Sequence, residues 1–222
     1  MTGPSFSSGD VISNRHLAIP LALALWLNHV YTDAYLSLMV PFAAMSRISI
    51  ERQILALTDD QLEQFVREWT SHKKEYVEVQ RFSGPGDKGR DVVGYLTKER
   101  HEGPWHNYQC KQYGRTLRTG LGLGEVGKVL YYSYCGEFTA PTRFFFVAPR
   151  GLHRDLKRYI AKPSEFKAAL VATWDQNCSK TIIEGQIISL SSALLAFFDQ
   201  WDFSEGHSRR FDRITATSGL PR

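Results

Sequence analysis

Sulfur is scarce in this sequence. Three cysteines, Cys110, Cys135 and Cys178, are scattered through 222 residues, with no C-x-x-C pair and no histidine at finger spacing. That excludes a disulfide scaffold and argues against structural zinc. An odd number of thiols suits a reducing, cytoplasmic setting where each packs as a small hydrophobe. Neither glycine-rich stretch ends in the Gly-Lys-Ser/Thr of a phosphate-binding P-loop, and no repeat of useful length is present. A spanning helix needs about 20 consecutive apolar residues. The longest candidate, Leu17–Leu27, has eleven, contains Pro20 and is followed by Asn28, His29 and Asp33. Charge of one sign is also lacking: 27 Lys+Arg face 23 Asp+Glu, a net charge of +4. That permits a polyanionic partner without demanding one. No recognition helix, finger or RNA-recognition pattern appears, so little base readout is expected.

What remains is an ordinary folded composition, 43% hydrophobic and 23% charged, long enough for a real core and one to two domains. The N-terminal stretch admits three readings. Arg15 before an apolar run imitates a signal peptide or anchor; the run could instead be a core or interfacial helix. Alternatively, Met45 opens MSRISIERQILALTDDQLEQF like a cytosolic N-terminus, which makes residues 1–44 an extension of undecided role. Domains are expected at 45–150 and, as a helical region, at 151–222.

Thr58 and Gln61 form a capping box, and Leu62, Phe65, Val66 and Trp69 recur at helical spacing, predicting a helix over about 58–72. Short strands follow at 76–79, 91–96 and 105–113, separated by a glycine turn at 84–89 and a polar loop at 97–104. Gly120-Leu121-Gly122-Leu123-Gly124 is read as a break before a helix ending near Gly136. Arg143-Phe144-Phe145-Phe146-Val147 suits a strand buried on both faces. Helices are expected at 152–160, 164–174 and 186–201, then a frayed tail from Ser204. The order predicts an α/β fold, a small mixed sheet with helices on both sides.

Gly84-x-Gly86-x-x-Gly89 and Gly122-x-Gly124-x-x-Gly127 formally match a dinucleotide fingerprint. The first leads into a strand and contains Pro85. The second follows a poor strand, and no acid for a ribose comes after it. Both are rejected.

The informative residues are Asp91, Gln109 and Lys111. Side chains alternate along a strand, so Gln109 and Lys111 share a face while Tyr108 and Cys110 point to the other. Pairing of strands 91–96 and 105–113 brings Asp91 beside that polar face. Three polar groups converging at a sheet edge need partners. They suit a hard cation beside an attacked phosphate. The plainer alternative has Asp91 capping the turn, with Gln109 and Lys111 solvated.

G-x-G-D-x-G-x-D-V-x-G followed by Y-Q-C-K-x-Y resembles the PD-(D/E)xK nucleases, in particular the Mrr-type branch, where Gln commonly takes the second acidic position. The likeness spans about residues 58–148 and implies a restriction-endonuclease-like fold. It implies Asp91 as the principal ligand of Mg²⁺ (Mn²⁺ as a substitute), joined by the Gln109 side-chain oxygen and the Cys110 backbone carbonyl. Lys111 would position or activate the attacking water and stabilise charge on the phosphate. Glu63, in LEQFV, matches the family's helix acid, with Glu78 as the alternative. LTDDQLEQFVREW, GPGDKGRDVVGY, NYQCKQYGRTL and GEVGKVLYYSYCGEF are also similar to the nuclease effectors of ABC three-component and Lamassu-type anti-phage systems. The implied partners are double-stranded DNA, an SMC-like ATPase and further copies of the chain; no membrane partner is expected. The sequence departs from that pattern after Phe203.

Ten Lys+Arg and six acids lie between His72 and Gly120, an excess equal to the whole net charge. Lys88, Arg90, Arg115 and Arg118 are the candidate DNA-backbone contacts, whereas Trp105, His106 and Tyr113 read as packing residues. The expected function is a Mg²⁺-dependent endonuclease cutting double-stranded DNA in a bacterial defence complex. A stand-alone Mrr-like restriction enzyme for modified DNA, or an inactive DNA-binding or assembly subunit, are the alternatives.

Overall fold

The structure, a computed structural model, describes residues 50–84, 86–201 and the backbone of 210–214. The expected extension 1–44 lies outside the described residues, and so does most of the chain beyond Phe203. Helix α1 (Ile50–Leu55) leads to Thr58, which caps α2 (Asp59–Ser71) through the expected box. Gln61 N donates to Thr58 Oγ1 at 3.2 Å and Thr58 N to Gln61 Oε1 at 3.0 Å. Leu62 and Val66 then bury one face of α2 together with Ile54.

Strands β1 (Glu78–Arg81), β2 (Val92–Tyr95) and β3 (Trp105–Cys110) form an antiparallel meander. β4 (Arg143–Val147) pairs parallel with β3, giving a mixed sheet. The expected frayed tail is corrected in part. Arg210–Ile214 forms β5, parallel to β4, and extends the sheet in the order β1-β2-β3-β4-β5. Ladder pairing there satisfies the β4 edge without any apolar periodicity in the tail.

The RFFFV strand is buried on both faces as expected. Phe144 and Phe146 join one core cluster, Phe145 and Val147 the other. The second cluster lies under α1 and α2. The first lies under α3 (Thr119–Tyr134) and the helices that follow: α4 (Arg154–Ala161), α5 (Pro163–Ala172), α6 (Trp174–Asn177) and α7 (Ser192–Gln200). The helix expected from Gln186 begins only at Ser192, where Ser191 Oγ accepts from Leu194 N at 3.1 Å. Leu156, Phe166, Leu170, Trp174 and Phe198 share one cluster with Val93 and Trp105, and the described residues belong to one compact unit. Residue 150 is therefore no packing boundary. Among the described residues, no helix is long and apolar enough to cross a membrane.

The glycine stretch at 120–124 corrects a further expectation. It does not break structure but lies inside α3. Its glycines are where neighbouring helices touch the α3 backbone. A Cβ at Gly124 would stand 2.7 Å from the Asn177 carbonyl oxygen, and one at Gly127 2.5 Å from Cys178 Sγ. Close approach has outweighed helix propensity. Gly124→Ala should therefore destabilise the fold by about 1–3 kcal/mol through overpacking, although alanine is the better helix former. Urea unfolding measures this; an unchanged or higher midpoint would mean α3 and α6 do not pack so closely.

Candidate active site

The turn before β2 sets the site. Asp87 Oδ1 accepts from Gly89 N at 2.8 Å and from Lys128 Nζ at 3.0 Å. Lys88 and Gly89 are both left-handed, at φ 52° and 86°. At Gly89 a side chain is doubly excluded, because a Cβ would also lie 2.9 Å from Val129 Cγ2. The reversed chain enters β2 with Val92 opposite Tyr108, so Asp91 falls beside Gln109, as the alternation predicts.

There Asp91 is 6% exposed and Gln109 1%. Gln109 Nε2 and Cys110 N both donate to Asp91 Oδ2, each at 2.7 Å. No hydrogen bond reaches Asp91 Oδ1 among the described residues. Gln109 Oε1 in turn accepts from Asn107 Nδ2 at 3.5 Å, and the same Nδ2 donates to Gly89 O at 3.2 Å. Asn107 thus links the glycine turn to the amide that holds Asp91. The sequence offered it by parity, at the same face as 109 and 111, yet it was not singled out. Burial pushes the Asp91 carboxyl up to about 7, opposed by the Lys111 charge and reinforced by Glu125 and Glu63.

Lys111 is not solvated. Its Nζ pairs with Glu125 Oε1 at 2.9 Å, each side chain only 20% exposed. Burial alone would lower its pKa, but Glu125 and Asp91 hold it above the ordinary lysine range. Glu125 is the principal residue that sequence reasoning missed, because it directly follows the glycines read as a break and was assigned to no helix face. Glu63 accepts from Arg81 Nε at 2.9 Å, and burial raises its pKa despite that partner. It acts electrostatically on both Asp91 and Lys111, so it belongs to the cluster. Glu78 does not. It sits opposite Tyr95 at the far end of the hairpin and pairs with Arg100.

The four expected DNA contacts divide. Arg90 is corrected: its guanidinium is sandwiched between the rings of Phe82 and Phe138, at 4.3 and 4.6 Å from their centroids. Its Nε donates to Asp87 O at 2.8 Å and its Nη1 to His101 Nε2 at 3.1 Å. A guanidinium only donates, so His101 accepts at Nε2 and donates from Nδ1 to Tyr95 Oη. Burial, then Arg90, pushes His101 down to about 4. This cage shapes the turn and leaves Arg90 only partly exposed. Lys88 pairs with Glu137. Arg115 and Arg118 are exposed. Trp105 and His106 are buried packing residues, as expected, with His106 Nδ1 hydrogen-bonded to Tyr76 Oη.

The groups able to hold a metal are the Asp91 and Glu63 carboxylates, the Gln109 amide and the Cys110 carbonyl. All offer oxygen, and a desolvated carboxyl beside two more acids is relieved by a hard cation such as Mg²⁺ or Mn²⁺. Among the described residues no three His, Cys, Asp or Glu side chains converge as a metal cage. The Gln109 oxygen faces Asn107, not Asp91, so ligation through it requires its amide to turn over. No protein-family model, curated protein or solved structure matches the chain.

The Asp91 pKa has a stability consequence in metal-free protein. Raised from 3.8 to about 7, it leaves stability intact below pH 3.8 and removes it as pH rises to about 7. Asp91→Asn, which keeps an acceptor for Cys110 N, should match the wild type near pH 4. At pH 8 in EDTA it should exceed the wild type by up to a few kcal/mol, on the order of 1.4 per pKa unit. Urea titrations at both pH values measure the difference; a constant gap would contradict it.

Proposed function

We propose that the chain is a Mg²⁺-dependent endonuclease of restriction-endonuclease-like fold that hydrolyses phosphodiester bonds of double-stranded DNA. The observation that carries the reading is the buried Asp91 carboxylate, held by Gln109 and Cys110 within the electrostatic reach of Lys111. The helix–strand–strand–strand–helix–strand order of α2 to β4 supports it. The role as effector of a bacterial anti-phage complex, beside an SMC-like ATPase, rests on sequence resemblance alone.

Asp91 Oδ1, Glu63, the Cys110 carbonyl and a turned Gln109 amide would hold the ion. When bound, Mg²⁺ supplies Lewis acidity and lowers the pKa of its water. Lys111 is kept protonated by Glu125 and Asp91, so it serves as a cation, stabilising charge on the attacked phosphate and orienting the incoming water. It is a poor base at neutral pH. Asp91 becomes a full carboxylate only above about pH 7 without metal, so Mg²⁺ binding releases a proton below that pH. Arg115 and Arg118 are exposed and available to the phosphates of a DNA strand.

Asp91→Ala and Lys111→Ala should each lower plasmid cleavage in Mg²⁺ by about 100-fold or more, with the far-UV circular dichroism unchanged. Mg²⁺ should also raise the melting temperature of the wild type at pH 8 but not that of Asp91→Asn. Undiminished cleavage by both alanine variants would remove the nuclease assignment.

A further inference from the structure

Just past the end of β3 lies a groove of about 430 Å³, lined by Tyr113, Gly114, Arg115, Thr116, Arg118 and Leu121. That volume falls in the range of small-ligand sites, roughly 300–1,000 Å³, and accommodates a single nucleotide. Its framework is anchored. Leu117 is 1% exposed and forms a parallel bridge with Leu152. Leu117 N donates to Gly151 O at 3.0 Å, and His153 N donates to Leu117 O at 2.9 Å. Arg115 and Arg118 flank this pinned residue, both exposed. Neither has a carboxylate partner among the described residues, and the lining contains no acid.

The composition of the lining is selective. Two guanidinium forks and the Thr116 hydroxyl are phosphate donors, while Tyr113 and Leu121, the latter 47% exposed, give an apolar wall for a base or sugar. A phosphodiester carries one negative charge, whereas a phosphomonoester carries about 1.5 to 2 at neutral pH. Two arginines without a carboxylate partner among the described residues match the monoester better. The groove also adjoins the cluster described above, because Tyr113 follows Lys111 by two residues.

We propose that this groove binds the terminal phosphomonoester of a nucleic-acid strand, with Arg115 and Arg118 on the phosphate and Tyr113 and Leu121 against its nucleoside. The inference rests on the nuclease reading only in assigning the phosphate to a DNA strand. It makes the protein sensitive to the chemistry of a strand end, which backbone contacts alone would not.

The test is fluorescence anisotropy of dye-labelled duplexes in EDTA, where no cleavage occurs, using 5′-phosphorylated, 3′-phosphorylated and hydroxyl-ended forms. Free dAMP and inorganic phosphate serve as competitors. One phosphorylated end should bind about ten-fold tighter than the hydroxyl end, as charged hydrogen bonds allow. Arg115→Ala/Arg118→Ala should erase that gain. The double lysine variant, which keeps the charge but loses the forks, should retain only part of it, and Asp91→Ala should keep it in full. Equal affinity for all three duplexes would overturn the proposal. So would dAMP competing as strongly as the phosphorylated strand, which would assign the groove to free nucleotides. Plasmid cleavage without end preference would sink this inference and leave the nuclease reading standing; end preference without cleavage would do the reverse.

Discussion

One buried carboxylate organises this end of the molecule. Asp91 takes two hydrogen bonds from β3, one from a side chain and one from the backbone, across the open end of the β2–β3 hairpin. A buried acid without partners would be costly, so the residues around it are committed to its support. Gln109 must present its amide nitrogen, Asn107 steadies that amide, and the turn carbonyl of Gly89 steadies Asn107. The turn itself depends on Asp87, on the clamped Arg90 and on a glycine pressed against Val129. These links form one chain.

The acids around Lys111 have a different function from the hydrogen bonds around Asp91. Glu125 and Asp91 keep Lys111 charged, while Glu125 and Glu63 make ionisation of Asp91 harder. The cluster therefore contains one fixed cation and one acid poised near neutrality. An added divalent cation would shift that balance toward full ionisation, coupling metal binding to proton release. Burial makes each of these charges matter more than it would on the surface.

The sequence was most legible where a local rule had no tertiary competitor. The Thr58–Gln61 box, the doubly buried RFFFV strand and the shared face of Gln109 and Lys111 follow from neighbours three, one or two residues away. The pairing of Asp91 with that face needed only the assumption of a hairpin. Failures arose where a distant segment overrode a local preference. Glycines 120 to 124 read as breakers because their helix partners, α4 and α6, lie about 30 to 60 residues on. With a break read up to Gly124, Glu125 was left at its edge and given no helix face. Arg90 read as a DNA-backbone contact because Phe82, His101 and Phe138, which hold it, come from three separate segments.

By itself the sequence determined the α/β character, the meander and the convergence of Asp91, Gln109 and Lys111, because capping and strand alternation are properties of the local chain. Only the tertiary structure decided which charges face one another. It paired Lys111 with Glu125, joined Glu63 to the cluster while leaving Glu78 outside, and engaged Lys88 with Glu137 and Arg90 with two aromatic rings while Arg115 and Arg118 stayed exposed. It also gave the tail a strand beside β4. The physical reason is the same in each case. Electrostatic partners and backbone close approaches are set by distance in space, which a pattern of residue types along the chain does not encode.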